Sequence, residues 1–303
     1  MSLEVDSVAM LTTFSDAVAN TVERVSPSVV RVEARNQRSQ GTGVIWDTDG
    51  LIVTADHVLE RGQDITVTLP DGKSLPATIV GRDPDRDVGL VRVATNGFPS
   101  LPRGEPPKVG HLVLAIGRLS ERVMATIGLV NAVRGAGRRR GGGASMIQTD
   151  ALLYPGFSGG PLLDAAGRMV GLNSSRSRAG AGMVVALDSV VETAETLLAG
   201  GKVQRGYIGV VTQSVALTQS LREKLGIQQA AALLISGVEP ASPADTSGLL
   251  LGDVMLTLGD QNLEDGGDLR AILTPERVGE RPLVHLIRGG ELMDTAVTVG
   301  ERK

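Results

Sequence analysis

Cysteine is absent from the 303-residue chain, which excludes disulfides, thiolate metal sites and a cysteine nucleophile. Histidine is nearly as scarce. His57, His111 and His285 are the only three, and none lies within five positions of another, so neither a helix nor a hairpin offers a pair of imidazole ligands and no metal or other cofactor is expected. With one Trp, two Tyr and three Phe there are too few rings for base-stacking platforms. Lys+Arg total 30 against Asp+Glu 34, a net charge of -4, and this balance gives a polyanion no purchase, so nucleic acid is not an expected partner. No apolar run approaches the roughly eighteen residues of a membrane helix. The longest, such as LVLAI at 112–116, are strand-sized, and no membrane span is expected. The first residues, MSLEVDSVAMLTTF, carry acids where an export signal needs positive charge. Either the protein is cytoplasmic or an export segment is missing.

What remains is a folded chain, 42% hydrophobic and 21% charged, long enough for two domains. Val18, Val22 and Val25 fall at helical spacing, which predicts a helix over 15–26 with Ser15 as N-cap and Pro27 as its end. Ten short Val/Ile/Leu runs follow, punctuated by Gly, Pro and Asp: SVVRVEA, GTGVIWD, GLIVTA, DITVTLP, LPATIVG, VGLVRV, HLVLAIG, ATIGLVNAV, MVGLN and GMVVAL. Their even spacing predicts an all-β barrel or sandwich, and 39 glycines supply its tight turns. A helix is expected at 188–199, closed by Gly200-Gly201. The domain boundary is placed there, giving domains 1–201 and 202–303. The second reads as a smaller mixed α/β module: strand YIGVVTQ, helix ALTQSLREKLG, strands AALLISGV and DVMLTLG, helix DLRAILTPERV, and strands PLVHLIRGG and MDTAVTVG.

Chemistry concentrates in three segments of the first domain. Ser158 lies in YPGFSGGPLLD. A serine hydroxyl attacks a carbonyl only with a base in reach and with amide donors aimed where the oxygen becomes negative. Glycines 156, 159 and 160 let successive amides converge in this way, with the Gly156 and Ser158 N–H groups as the natural donors. His57, in TADHVLE, follows a strand, and Asp87, in DRDVGLVRV, precedes one. The chain order His, Asp, Ser suits a barrel in which three loops meet at a cleft. Asp56 is set aside as the orienting acid because chain neighbours rarely face each other. His111 and His285 read as surface or packed residues, Asp150 as a structural acceptor and Trp46 as a core anchor. RGAGRRRGGG at 134–143 reads as a solvated loop.

GTGVIWDTDGLIVTADHVL, GRDPDRDVGLVRV and IQTDALLYPGFSGGPLLDAAGRMVGLN, in this order, resemble the protease domain of the HtrA/Deg family of serine proteases. RGYIGV, GVEPASPADTSGLLLGDVMLTLGD, DLRAIL and VHLIRGG are similar to the single PDZ domain that follows it. The resemblance runs from about residue 22 to 298. It implies a mostly β protein, a chymotrypsin-like double β-barrel followed by a smaller α/β PDZ domain. It further implies a serine endopeptidase for unfolded or misfolded polypeptides. Ser158 would be nucleophile, His57 base and then acid, and Asp87 the carboxylate that orients the imidazole, with Gly156 and Ser158 holding the oxyanion as the acyl-enzyme forms and again as it is hydrolysed. The primary pocket would lie between Leu152–Pro155 and Leu172–Ser175. No acid sits there, which favours small or medium aliphatic residues, and Asn173, Ser174 and Ser175 would offer backbone bonds to an extended substrate. In the PDZ module Tyr207, Ile208, Gly209 and Val210 would hold the C-terminal carboxylate of a hydrophobic peptide, with Leu269 and Ile272 walling the groove. Loop 134–143 would order on ligand binding and complete the oxyanion hole. The resemblance also implies an extracytoplasmic location and a homotrimer, for which Phe14 is the aromatic near the N-terminus. One departure gives a second reading. The family usually carries Asn before the nucleophile and this chain has Phe157, and a ring that displaces the turn would leave a peptide-binding scaffold with a disabled protease fold.

Overall fold

The computed structural model describes residues 7–34, 40–59, 64–95, 97–135, 144–174, 182–200 and 206–301. They divide into two compact units, one within 7–200 and the other within 206–301. The first opens with helix α1 (Ser7–Val25), which begins eight residues before the expected N-cap, so Ser15 is an interior residue. The early start escaped the periodicity because Val8, Met10, Leu11 and Phe14 are exposed, and they trace no buried stripe. Only Thr21 and Val25 are buried, against the turn at Gly167, where Arg24 donates to the Ala166 carbonyl at 2.9 Å.

Six strands then close a barrel: β1 (Val29–Ala34), β2 (Gln40–Ile45), β3 (Leu51–Thr54), β4 (Ile65–Thr68), β5 (Ser74–Asp83) and β6 (Val88–Val93), in the order β1-β2-β3-β6-β5-β4. A one-turn helix, α2 (Asp56–Leu59), leaves the end of β3. A second barrel follows: β7 (Leu112–Arg118), β8 (Val123–Arg134), β9 (Met146–Thr149), β10 (Pro161–Asp164), β11 (Met169–Ser174) and β12 (Gly182–Ala186), ordered β10-β11-β12-β9-β8-β7. The strands of each barrel pair antiparallel, and the interiors are apolar cores that include Val30, Val32, Ile52 and Val91 in one and Val113, Ile147, Leu162 and Val184 in the other. Closure removes the exposed edges that so many short strands would otherwise present. Helix α3 (Leu187–Gly200) packs Val190, Ala194 and Leu197 inward. Trp46 is a correction: its ring is half-buried, with the Arg103 guanidinium 4.4 Å above its centroid, so it serves a cation–π pair and not the core.

The second unit has a two-stranded ribbon, β13 (Gly206–Tyr207) with β20 (Gly300–Glu301), and a sheet ordered β14 (Val210–Ala216), β15 (Ala231–Val238), β16 (Val254–Leu258), β18 (Leu283–Arg288) and β19 (Glu291–Ala296), with β17 (Gln261–Asn262) paired to β16. Helices α4 (Gln219–Leu225), α5 (Pro243–Thr246) and α6 (Gly266–Ile272) complete it. The expected helix DLRAILTPERV divides, because Pro275 cannot continue α6 and opens a separate 3-10 turn, Pro275–Arg277. Asp265 caps α6, reciprocated by Asp268. β14 is the terminal strand of its sheet, and α6 lies beside it, where the Ser214 hydroxyl donates to the Glu264 carbonyl.

Candidate active site

His57 sits on the single turn of α2, directly after β3, and Asp87 on the turn before β6; β3 and β6 are hydrogen-bonded neighbours in the first barrel. That pairing brings residues thirty apart in sequence into contact. The imidazole Nδ1 lies 2.8 Å from Asp87 Oδ1 and 2.9 Å from Oδ2, and the His57 backbone N–H donates to Oδ1 at 3.1 Å. Asp87 adopts φ +56°, the left-handed region that Asp and Asn tolerate best among side-chain-bearing residues. The Ser174 hydroxyl donates to Asp87 Oδ2 at 2.5 Å.

Burial alone would raise the Asp87 carboxyl pKa. The His57 ring bond, the attraction of the imidazole charge, the Ser174 hydroxyl and the His57 amide together outweigh burial and hold it below its ordinary value. The group stays an acceptor, and the ring Nδ1 must carry its proton toward it. The opposite nitrogen, Nε2, is then left as a base. Asp56 takes no part. Its fully buried carboxylate faces Arg82, with Nε at 2.7 Å and Nη2 at 3.1 Å.

Ser158 occupies the turn between β9 and β10, itself 4% exposed. Its carbonyl accepts from the Thr42 amide of β2 at 2.8 Å, which ties a turn of the second barrel to the first. Gly41 marks the meeting point, since a Cβ there would lie 2.5 Å from Val58 Cγ2, next to His57, and 3.0 Å from the Ser158 carbonyl oxygen. Gly156 and Gly159 have φ +91° and +83°. Both are also held in close quarters, with Leu119 Cδ2 1.8 Å from a Cβ at 156 and the Thr42 carbonyl oxygen 2.1 Å from one at 159. Glycine is favoured at both for φ, and at 159 it is required for space as well, because backbone atoms stand in the way. The Gly156 carbonyl accepts from Thr42 Oγ1 at 2.7 Å, Phe157 N–H bonds the Tyr154 carbonyl at 3.0 Å, and Gly160 N–H bonds the Phe157 carbonyl at 2.9 Å. In a trans peptide N–H and C=O point in opposite directions. The Phe157–Ser158 amide proton is therefore aimed away from Gly160.

The Phe157 ring does not enter this turn from above. It is fully buried in the second-barrel core, its Cδ2 2.7 Å from where a Cβ on Gly117 would stand, with Tyr154 edge-on at a 5.9 Å centroid distance. Gly117 leaves the space that the ring fills.

Of the expected pocket residues, two are exposed and two are fully buried. Leu152, at 60% exposed, and Pro155 face solvent. Leu172 and Asn173 have no exposed surface. The Asn173 main chain is taken up by Gly159 and Gly160, and its side-chain nitrogen by the Ile116 and Pro161 carbonyls, so Asn173 braces the Ser158 turn. Ser175 and residues 136–143 of the expected regulatory loop lie outside the described residues. Sequence reasoning missed the Ser174 hydroxyl on Asp87 and the Thr42 hydroxyl on Gly156. The signal for each was a small hydroxylated residue at an otherwise apolar or Gly-only strand position. Asp150 accepts from Leu129 N–H at 2.6 Å, as expected of a structural acceptor. His285 is half-buried and pairs with Asp294 across the β18–β19 hairpin, and His111 is exposed, its Nδ1 accepting from Lys108 N–H.

In the second unit Tyr207 donates its hydroxyl to Glu239, Ile208 is buried, and Gly209 holds φ +83° with its α-carbon against Ser242. Leu269 and Ile272, 7% and 8% exposed, share a core with Ile208 and with the half-buried Val210.

Residues 41–172 match the family model of the trypsin-like peptidase domain and residues 206–299 that of the PDZ domain. The chain is similar to a probable periplasmic serine endoprotease DegP-like of Ectopseudomonas mendocina, 35% identical over 92% of this chain and 60% of the relative. A protein of the same description from Halomonas elongata is 33% identical over 91% of this chain and 59% of its own length. This chain thus spans about three fifths of these curated relatives. Among solved structures it is similar to the HtrA-type protease AlgW with a tripeptide, at 32% identity and TM-score 0.65, covering 94% of this chain and 97% of that one. The serine endoprotease from Yersinia pestis gives 27% identity and TM-score 0.63 over 94% and 98%.

Proposed function

The chain belongs to the HtrA-type serine proteases, and from that membership we propose that it is an endopeptidase using Ser158 as nucleophile, His57 as base and then acid, and Asp87 as the group that orients and stabilises the imidazole. The Nδ1 contact of His57 with both oxygens of a buried, ionised Asp87 carries this reading. A buried carboxylate clamped on an imidazole fixes the tautomer that a serine needs for its base. His57 would take the hydroxyl proton as Ser158 attacks a peptide carbonyl, then deliver it to the leaving amine; water repeats the sequence on the acyl-enzyme. The Gly156 and Ser158 amides would hold the oxyanion in both steps. The burial of Phe157 on Gly117 favours the competent enzyme over the scaffold reading, since the ring is accommodated below the turn. The direct test is a fluorophosphonate, which forms a covalent bond only with an activated serine. One label per chain, at Ser158, is the expected result, and an unlabelled chain sinks the proposal.

Unfolded or misfolded polypeptides are the proposed substrates, and the location is extracytoplasmic, the periplasm being named for the relatives. The PDZ unit would capture hydrophobic C-termini. The end position of β14 in its sheet leaves an edge for an added strand, and the Tyr207–Val210 turn stands at the head of that edge. Peptides ending in a free hydrophobic residue should bind saturably and their C-terminal amides should not. Gly209→Val places a side chain 2.2 Å from the Ser242 Cβ at a positive φ, a strain of about 1–3 kcal/mol. About tenfold weaker peptide binding by calorimetry is expected; undiminished binding would remove the turn from the site. A homotrimer belongs to the same reading, with the exposed Val8, Met10, Leu11 and Phe14 of α1 offering an apolar face. Sedimentation equilibrium should return three chain masses, and a monomer at micromolar concentration would refute it.

A further inference from the structure

We infer that the Thr42 hydroxyl is a positioning residue for the oxyanion turn, a role that rests on the endopeptidase reading above. Thr42 is fully buried in β2 between two glycines that have no room for a side chain. Each of its polar atoms is engaged. The N–H bonds the Ser158 carbonyl at 2.8 Å, and the carbonyl accepts from Thr54 Oγ1 at 2.7 Å. Oγ1 receives the Arg118 N–H at 2.8 Å and lies 2.7 Å from the Gly156 carbonyl oxygen. A hydroxyl has one proton. Because the Arg118 amide already donates to Oγ1, and the Gly156 carbonyl can only accept, the proton must point at Gly156. The direction of that bond is dictated by the strand beneath it.

The other end of the same peptide is held too, by Phe157 N–H on the Tyr154 carbonyl at 3.0 Å. The Gly156–Phe157 plane is thereby fixed at both edges and cannot turn over without breaking both bonds. This matters because Gly156, at φ +91°, is the residue with the least intrinsic restraint on its torsions. Its own N–H is the proposed oxyanion donor. With the carbonyl side clamped, only the φ and ψ of Gly156 itself are left to decide where that N–H points. With the clamp gone, the donor samples directions in which it does no electrostatic work, and a donor that must reorganise during the reaction loses most of its value. The Thr42 methyl contributes separately, standing 3.1 Å from where a Cβ on Gly160 would be. Ser at this position should therefore keep the catalytic effect while packing less well.

Thr42→Val keeps the shape and deletes the hydroxyl. The expected result is a fall in kcat of about 10- to 100-fold, below the 10²–10³ that follows outright loss of an oxyanion donor. KM should stay within about threefold, and fluorophosphonate labelling should slow by the same factor as kcat. Thr42→Ser should recover kcat to within about threefold of the parent. A merely structural Thr42 would instead lower the melting temperature of T42S and T42V alike without separating kcat from KM. If Val does not fit the site, Thr42→Ala carries the same comparison with Ser. A folded T42V or T42A with parental kcat and labelling rate overturns the inference, as does a T42S no better than either. An unlabelled parent chain defeats the endopeptidase reading itself, whereas a labelled parent with an indifferent Thr42 defeats this inference alone.

Discussion

Ser158→Ala is expected to lower kcat on an unfolded protein substrate by about 10⁶-fold and to abolish fluorophosphonate labelling, while peptide binding to the PDZ unit is unchanged. The size follows from the division of labour in the site. Without the hydroxyl there is no acyl-enzyme, and what survives is whatever the turn amides contribute to attack by water, about 10³–10⁴ over the uncatalysed rate. The substitution removes one oxygen from a residue whose main-chain carbonyl, not its side chain, makes the bond to Thr42, so the fold should be intact and the melting temperature near that of the parent. Non-additivity supplies the sharper measurement. His57→Ala should be about as damaging as S158A, and the double variant no worse than either, because base and nucleophile act as one unit. A double variant whose defect is the product of the single ones would mean that the two side chains contribute independently, and the proposed chemistry would be wrong.

The first barrel was legible in the sequence because each of its strands is a self-contained apolar run between turn residues, and all six runs appear as strands. The second barrel was less so. β9 and β10 are four residues each. Pro161–Asp164 directly follows Ser-Gly-Gly, where glycine and proline argue for loop, yet its pairing with β7 and β11 makes it a strand; tertiary pairing overrode a local signal. The direction of side chains was harder still. Leu172 and Asn173 were expected to face substrate, but β11 is covered on both faces, so alternation gave no outside position to either. Motif and chain order were enough to nominate His57, Asp87 and Ser158. The bonds of Thr42 and Ser174 cross from one barrel to the other, and no local pattern encodes a contact between residues 42 and 156 or 174 and 87. Phe157 is the instructive residue: a departure within the motif whose consequence depends on Gly117, forty positions earlier.

Asp87→Asn should lower kcat by about 10⁴-fold near neutral pH with little change in fold. The backbone argument protects the fold, since Asn is the side chain best suited after glycine to the φ of +56° at this position. The carboxamide can still accept from Ser174 or from the His57 amide. What it cannot do is present acceptors alone to Nδ1. An amide NH2 turned toward the ring favours the tautomer with its proton on Nε2, which is the wrong nitrogen for a base, and no negative charge remains to stabilise the imidazolium that forms as Ser158 is deprotonated. Asp87→Leu or Val would add backbone strain, and the comparison with Asn separates chemistry from folding. Stability gives an independent reading of the same charge. Because the folded-state pKa of Asp87 lies below its unfolded value, the wild-type carboxylate contributes stability that is fully present above the ordinary carboxylate pKa of about 4 and is lost as pH falls through the lower folded value. Melting temperatures of parent and D87N should therefore converge as pH is lowered from about 5 toward 2. A separation that stays constant over that range would mean that folding leaves the Asp87 carboxyl unperturbed, and the clamp on His57 would not be the strong interaction that the geometry describes.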